Sequence, residues 1–162
     1  MNEDFTDLLL LLSEEGVQFV VVGAQALAAH GVPRATADLD VLVRPDVNNA
    51  PRVCAALRAF GAPLAAHGVR ETDFSAPSLV YQIGLPPRRI DLITSIDGVA
   101  FEDAWGGRVE RMIGGVPVPF IGLREFCRNK AASGRTKDLL DLELLREAGV
   151  PVDAYLSDMD ND

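Results

Sequence analysis

Asp38 and Asp40 stand two residues apart at the head of an apolar run, Leu39-Asp40-Val41-Leu42-Val43. In a strand this spacing points both carboxylates to one face. Like charges that close repel, and a divalent cation held between them relieves the repulsion. Just upstream, Val20-Val21-Val22-Gly23-Ala24 reads as a strand and a glycine turn feeding a helix N-terminus, a natural seat for phosphate. Metal-binding carboxylates beside a phosphate seat suggest phosphoryl or nucleotidyl transfer. The bland alternative makes Asp38 a turn or cap residue and Asp40 a solvated strand residue, because short motifs also match by chance.

A third acid, Asp91, lies inside the apolar stretch Arg89-Ile90-Asp91-Leu92-Ile93-Thr94. An unpaired charge in such a strand is costly, so Asp91 needs a reason to be there. One reason is a sheet-edge ion pair with Arg88 or Arg89. The other is that this strand lies beside the Asp38–Asp40 strand and completes a metal site. Three acids on neighbouring strands can hold two Mg²⁺ ions about 4 Å apart, clamping attacking and leaving oxygens.

Near the end comes Asn129-Lys130-Ala131-Ala132-Ser133-Gly134-Arg135-Thr136-Lys137-Asp138-Leu139-Leu140-Asp141. The chain has thirteen arginines but two lysines, and both lysines fall here. A compact ammonium suits a triphosphate oxygen. Asp138 and Asp141 sit one helical turn apart and can face Lys130 or Arg135. Equally, Asp138 could serve only to stabilise a helix N-terminus.

The elements that must position these residues follow from periodicity and punctuation. Phe5 to Glu15 reads as an amphipathic helix stopped by Gly16, and Val17 to Val22 as a strand. Ala24 to His30 is a short helix and Leu39 to Val43 a second buried strand. Asn48 or Asn49 caps a helix with Pro51 in its first turn, running to about Phe60. The stretch 61–78 is loop-rich, with a short strand expected near Val69 to Phe74. Leu79 to Ile83 and Arg89 to Thr94 are adjacent strands, and Phe101 to Trp105 a helical turn. Val109 to Ile113 and Val116 to Ile121 form a hairpin across Gly114-Gly115. Helices over Leu123 to Ala132 and Thr136 to Glu147 end the folded part. The expected class is α+β: a mixed β-sheet with flanking helices and a helical C-terminal segment.

With 162 residues, the chain fits one domain over residues 1–150, followed by an acidic tail over 151–162 expected to be disordered. Its net charge of −9 argues against a general nucleic-acid binder, though not against a nucleotide or an RNA end held by a local basic patch. The run Leu8 to Leu12 is too short to span a bilayer, and no secretory leader is visible, so no membrane association and a cytoplasmic location are expected. Cys54 and Cys127 are too few for a disulfide framework or zinc site. His30 fits a helix cap, Cys54 the core, and Asp97-Gly98 a turn.

Taken together, Gly23-Ala24-x-Ala26-Leu27, His30-Gly31, Arg34-x-Thr36-x-Asp38-x-Asp40, Arg89-Ile90-Asp91 and Lys130…Arg135-x-Lys137-Asp138-x-x-Asp141 resemble the bacterial nucleotidyltransferases related to AbiEii toxins, within the polymerase-β-like nucleotidyltransferase superfamily. The resemblance spans about Val17 to Leu145 and implies a nucleotidyltransferase-like fold. It implies that Gly23 and Ala24 contact nucleotide phosphates and that Asp38, Asp40 and Asp91 bind Mg²⁺. Lys130 and Asp138 match the family's downstream Lys and Asp, and Arg34 and Thr36 would steady the triphosphate. Ala24 departs from the usual Gly or Ser: the backbone N–H survives but a hydroxyl is missing.

The implied activity is transfer of a nucleoside monophosphate from an NTP to an acceptor hydroxyl, with two Mg²⁺ ions and pyrophosphate leaving along Lys130 and Arg34. The acceptor is open among tRNA, a protein side chain and a small molecule. A toxin–antitoxin or defence role, with a cognate antitoxin as partner, belongs to the same expectation. The alternative is a catalytically weak nucleotide-binding or protein-interaction module on the same fold, and Ala24 is the feature that favours it. A phosphatase of the haloacid dehalogenase type is set aside, because Pro33-Arg34-Ala35-Thr36-Ala37 rather than a buried strand precedes Asp38.

Overall fold

Phe5, Leu8, Leu9 and Leu12 recur at helical spacing, and all four are buried along one face of α1 (Glu3–Glu14). In the computed structural model, which describes residues 1–33 and 38–158, this helix starts two residues earlier than its apolar pattern suggests. The reason is Asn2, whose side chain accepts a hydrogen bond from the Phe5 N–H at 3.0 Å and caps the first turn. Glu3 and Asp4 in that turn complement the helix dipole.

The strands are β1 (Phe19–Val22), β2 (Leu39–Val43), β3 (Val80–Ile83), β4 (Ile90–Ile93), β5 (Val109–Ile113) and β6 (Val116–Phe120). They form a six-stranded mixed sheet in the order β3-β4-β2-β1-β6-β5. β1 runs antiparallel to β2 and parallel to β6, β2 runs parallel to β4, and the β3–β4 and β5–β6 pairs are antiparallel. With seven α-helices among the described residues, the architecture is α+β, as the sequence pattern suggested.

Register decides which side chains share a face. Val21, Val41, Leu92 and Tyr81 are cross-strand neighbours on one side. There Tyr81 meets Phe74 edge-on, with ring centroids 6.3 Å apart. Phe74 belongs to a 3-10 turn (Glu71–Ser75) packed on α3 (Ala50–Phe60). This corrects the short strand expected near Val69 to Phe74. The Asp73 carboxylate accepts the Arg70 N–H at 2.8 Å, so a local cap curls the backbone instead. On the other side of the sheet, Val22, Asp40, Asp91 and Gln82 form a single row.

Asn49 also differs from its expected capping role. Its backbone is already helical and its side chain makes no cap bond. Asp46 takes that part, accepting the Asn48 and Asn49 N–H groups at 2.9 and 2.6 Å. The Asn49 amide is instead buried across the ends of β1 and β2. It accepts the Gln18 N–H at 2.8 Å and donates to the Gln18 and Arg44 carbonyls at 3.0 Å each.

At the C-terminal end, α5 (Leu123–Ser133) and α6 (Thr136–Glu147) are separated at Gly134, which adopts φ +62°. Residues from 151 onward were expected to be a disordered tail, yet α7 (Val152–Ser157) packs on α5 and α6. Val152 is buried, Tyr155 and Leu156 join the core edge, and Arg124 lies 5.2 Å from the Tyr155 ring and pairs with Asp158. A few apolar residues at helical spacing outweigh the acidic composition. Among the described residues no helix is long and apolar enough to cross a membrane.

Because the Asn49 amide satisfies three buried backbone groups, Asn49→Ala should cost about 2–3 kcal/mol of stability. A urea titration would show this as a lowered midpoint at unchanged slope, and an unchanged midpoint would refute the clamp.

Candidate active site

The antiparallel β1–β2 pairing and the parallel β2–β4 pairing bring the C-terminal end of β1 and the N-terminal ends of β2 and β4 to one edge of the sheet. Every acid singled out in the sequence at that edge therefore converges. Asp40 and Asp91 are register partners, so their carboxyls lie close on one face of the β2–β4 pair. Burial, followed by the charge and hydrogen bond of Asp91, pushes the Asp40 carboxyl from 3.8 up to about 7; Asp38 adds to the rise and Lys130 opposes it. Near neutral pH the Asp40 carboxyl is therefore only partly ionised in the absence of a cation.

Asp38, half-buried just before β2, is drawn to Arg89, with Oδ2 3.0 Å from a guanidinium Nη2. Arg89 Nε stands 3.4 Å from Asp91 Oδ1. That contact is too poorly formed to be a hydrogen bond, and both atoms are buried without a hydrogen-bond partner. Of the two sequence readings of Asp91, the ion pair is present, with Arg89 as partner, and the strand does adjoin the Asp-x-Asp strand.

Gly23 is needed where it stands. It takes φ +67° at the start of α2 (Gly23–Ala29), and a Cβ there would collide with Asp40 Oδ2. The chain turns tightly against the carboxylate pair, and Gly23 and Ala24 line the same cleft as the acids. His30, which ends α2, donates Nε2–H to the Ile121 carbonyl at 2.7 Å and so ties α2 to the end of β6.

Facing the acids across a cleft of about 510 Å³ is Lys130, in the last turn of α5. Its Nζ lies 3.2 Å from Asp138 Oδ1 and 3.3 Å from Asp141 Oδ2, both on α6 and both buried. Asp138 also accepts from Arg135 Nε at 2.8 Å and from the Arg135 backbone N–H at 3.3 Å. Burial alone would raise the Asp138 carboxyl, but the Arg135 and Lys130 contacts outweigh it and hold it below its ordinary value. Asp138 is thus both the helix-start acid and the anchor of Lys130. It does not line the cleft, so the residue expected to be catalytic stands behind one that does. Lys130 itself is caged by carboxylates.

Arg34 and Thr36, expected to steady a triphosphate, lie outside the described residues. Among the described residues no three acidic, histidine or cysteine side chains gather as a ready-made metal cage. Asp38, Asp40 and Asp91 nevertheless suit a divalent cation. They are hard oxygen donors, a cation would relieve the burial and repulsion that leave Asp40 only partly ionised, and among the described residues the buried Asp91 Oδ1 accepts no hydrogen bond.

Several cleft residues were not among the expected site residues: Gln82, Arg89, Arg135, Lys137 and Asp97. Arg89 carried a signal, since its two-residue spacing from Asp91 puts both on one strand face. Asp97 had looked like a simple turn. Its carbonyl accepts Asn129 Nδ2 at 2.9 Å, and its carboxylate accepts Ser133 Oγ at 3.1 Å. At Gly98 a Cβ would lie 2.5 Å from the Ala132 Cβ. The loop after β4 is thereby docked on α5, which fixes Lys130 relative to Asp91.

Compared with known proteins, the chain matches no family model, and no curated protein matches it. The functional reading rests on the geometry.

Two substitutions probe it. Gly23→Ala combines a left-handed backbone with the collision at Asp40 and should cost at least about 2 kcal/mol in chemical denaturation. Asp40 has a folded-state pKa above its unfolded value of 3.8, so it adds stability below that pH and loses it as pH rises to about 7. Asp40→Asn, which needs no proton, should therefore raise the melting temperature at pH 8 and leave it near wild type at pH 4. Equal shifts at both pH values would show that the carboxyl pair is not coupled.

Proposed function

We propose that this chain is a divalent-metal-dependent nucleotidyltransferase of the polymerase-β-like kind that its motifs resemble. One observation carries the reading: Asp40 and Asp91 meet in register on adjoining parallel strands, beside Asp38, at a cleft whose opposite wall presents Lys130. Arg89 reaches the buried Asp91 Oδ1 only at 3.4 Å and without a hydrogen bond, a looser pairing than a purely structural ion pair calls for.

Asp38, Asp40 and Asp91 would hold Mg²⁺, which when bound neutralises phosphate charge and polarises the reacting oxygens. The chain's own residues do the rest. The backbone at Gly23 and Ala24 approaches the phosphates closely because no side chain at 23 intervenes. Lys130, oriented by Asp138 and Asp141, donates to a phosphate oxygen without freezing a mobile side chain during the reaction. Arg135 and Lys137 add positive charge on the same wall. A cleft-facing carboxylate oxygen of the acid cluster, rather than the buried Asp91 Oδ1, would take the proton of the acceptor hydroxyl. The acceptor oxygen bonds to the α-phosphorus as the bond to pyrophosphate breaks, and positioning with charge neutralisation supplies most of the rate. The acceptor, whether tRNA, protein or small molecule, and an antitoxin partner remain the expectations of the resemblance.

A second reading, nucleotide binding without turnover, is favoured by Arg89 standing on Asp38 and by the missing hydroxyl at Ala24.

Calorimetric titration with Mg²⁺ and a non-hydrolysable NTP should show binding by wild type that falls at least about tenfold in Asp91→Asn. Wild-type binding accompanied by incorporation of α-labelled NMP into cell extract supports the enzyme. Binding without any transfer supports the second reading, and no binding of any of the four nucleotides refutes both.

A further inference from the structure

Arg88 and Arg89 are consecutive, yet they point to different places. Arg88 leaves the sheet edge to pair with Asp4 on α1 at 3.0 Å. Arg89 turns into the cleft, between Asp38 at 3.0 Å and Asp91 at 3.4 Å. A guanidinium presents donors in a fork, and its strongest partner is a carboxylate engaged by two parallel hydrogen bonds. Here Arg89 achieves that with neither acid. One nitrogen reaches Asp38, while Nε faces Asp91 Oδ1 with both atoms left unsatisfied in a buried place. The arrangement fits a cation parked between two anions better than a fork locked onto one. Its side chain remains about 35% exposed toward the cleft, so it has room to leave.

Resting on the nucleotidyltransferase reading above, we propose that Arg89 is an internal stand-in for the metal: it neutralises Asp38 and Asp91 in the empty site and releases Asp38 when a divalent cation arrives. Its freed guanidinium then binds the phosphates of the incoming nucleotide. Metal and nucleotide are thereby coupled. The cation competes with Arg89 for Asp38, and the phosphates reward its displacement. A nucleotide without metal meets an arginine already engaged, and metal without nucleotide must expel it. Together they bind more tightly than separately, a positive linkage set in one side chain.

The two halves of this coupling move in opposite directions when the arginine is removed, which a merely structural residue would not produce. Mn²⁺, titrated without nucleotide and followed by its paramagnetic resonance signal, should bind Arg89→Gln about fivefold more tightly than wild type, because a competing cation is gone. A non-hydrolysable NTP at saturating Mn²⁺ should bind the same variant about tenfold more weakly, through loss of a charge-assisted phosphate contact. Arg89→Lys, which keeps the charge but not the fork, should fall between the two. Arg88→Gln, which breaks the pair outside the cleft, should leave Mn²⁺ affinity at the wild-type value. Without metal, Arg89→Gln should melt lower than wild type, and Mn²⁺ should restore it.

Mn²⁺ affinity unchanged or weakened in Arg89→Gln overturns the proposal, and so does nucleotide affinity equal to wild type. Failure of wild type itself to bind Mn²⁺ is a different result, since it removes the metal reading and this inference with it.

Discussion

Two carboxylates that repel each other at close quarters are the constraint on which the site is built. Parallel pairing of β2 with β4 sets Asp40 opposite Asp91, and the surrounding strands keep water from dissipating their repulsion. Burial and that repulsion push the Asp40 carboxyl up to about 7, so near neutral pH it is only partly ionised. Gly23 is a consequence of this arrangement, because any side chain would occupy the space of Asp40 Oδ2. Arg89 is another, since its guanidinium offsets the negative charge of Asp38 and Asp91. The destabilisation is local and is carried by the apolar strand residues on the opposite face.

The second tier of the design is the cation wall. Helix α6 inverts the usual pattern: Asp138 and Asp141 are buried, whereas Leu139 and Leu140 are 50% and 54% exposed. Desolvating two carboxylates is costly, and pairing them with Lys130 and Arg135 only partly offsets the cost. What the arrangement secures is direction. Lys130 projects from the last turn of α5 with its ammonium held at two points, and the Asp97–Gly98 loop pins α5 to the strand that carries Asp91. The acidic floor and the basic wall thus belong to one connected framework.

Much of this was legible in the chain. Short apolar runs marked β1, β2 and β4, and the Gly114-Gly115 turn marked the β5–β6 hairpin, whose first strand is largely exposed. The spacing of Asp38 and Asp40 announced a shared face, and the charge of Asp91 inside an apolar stretch demanded a partner. The places where the sequence misled differ in cause: Asn49 and Val152 act through contacts remote in the chain, whereas Asp73 caps its own turn. Asn49 looked like a helix cap and clamps two strands. Asp73 curls a segment whose composition suited a strand, and Val152 folds an acidic segment by burying one face of it.

The sequence by itself determined the identities of the strands, the α+β class and the shared face of Asp38 and Asp40, because periodicity and turn residues act over a few positions. Only the tertiary structure decided that β2 adjoins β4 and that Asp91 faces Asp40. It also decided that Arg89 turns inward while Arg88 turns away, and that Asp138 stands behind Lys130. Strand order and helix docking depend on burying the whole apolar surface at once, and no local run of residues contains that information.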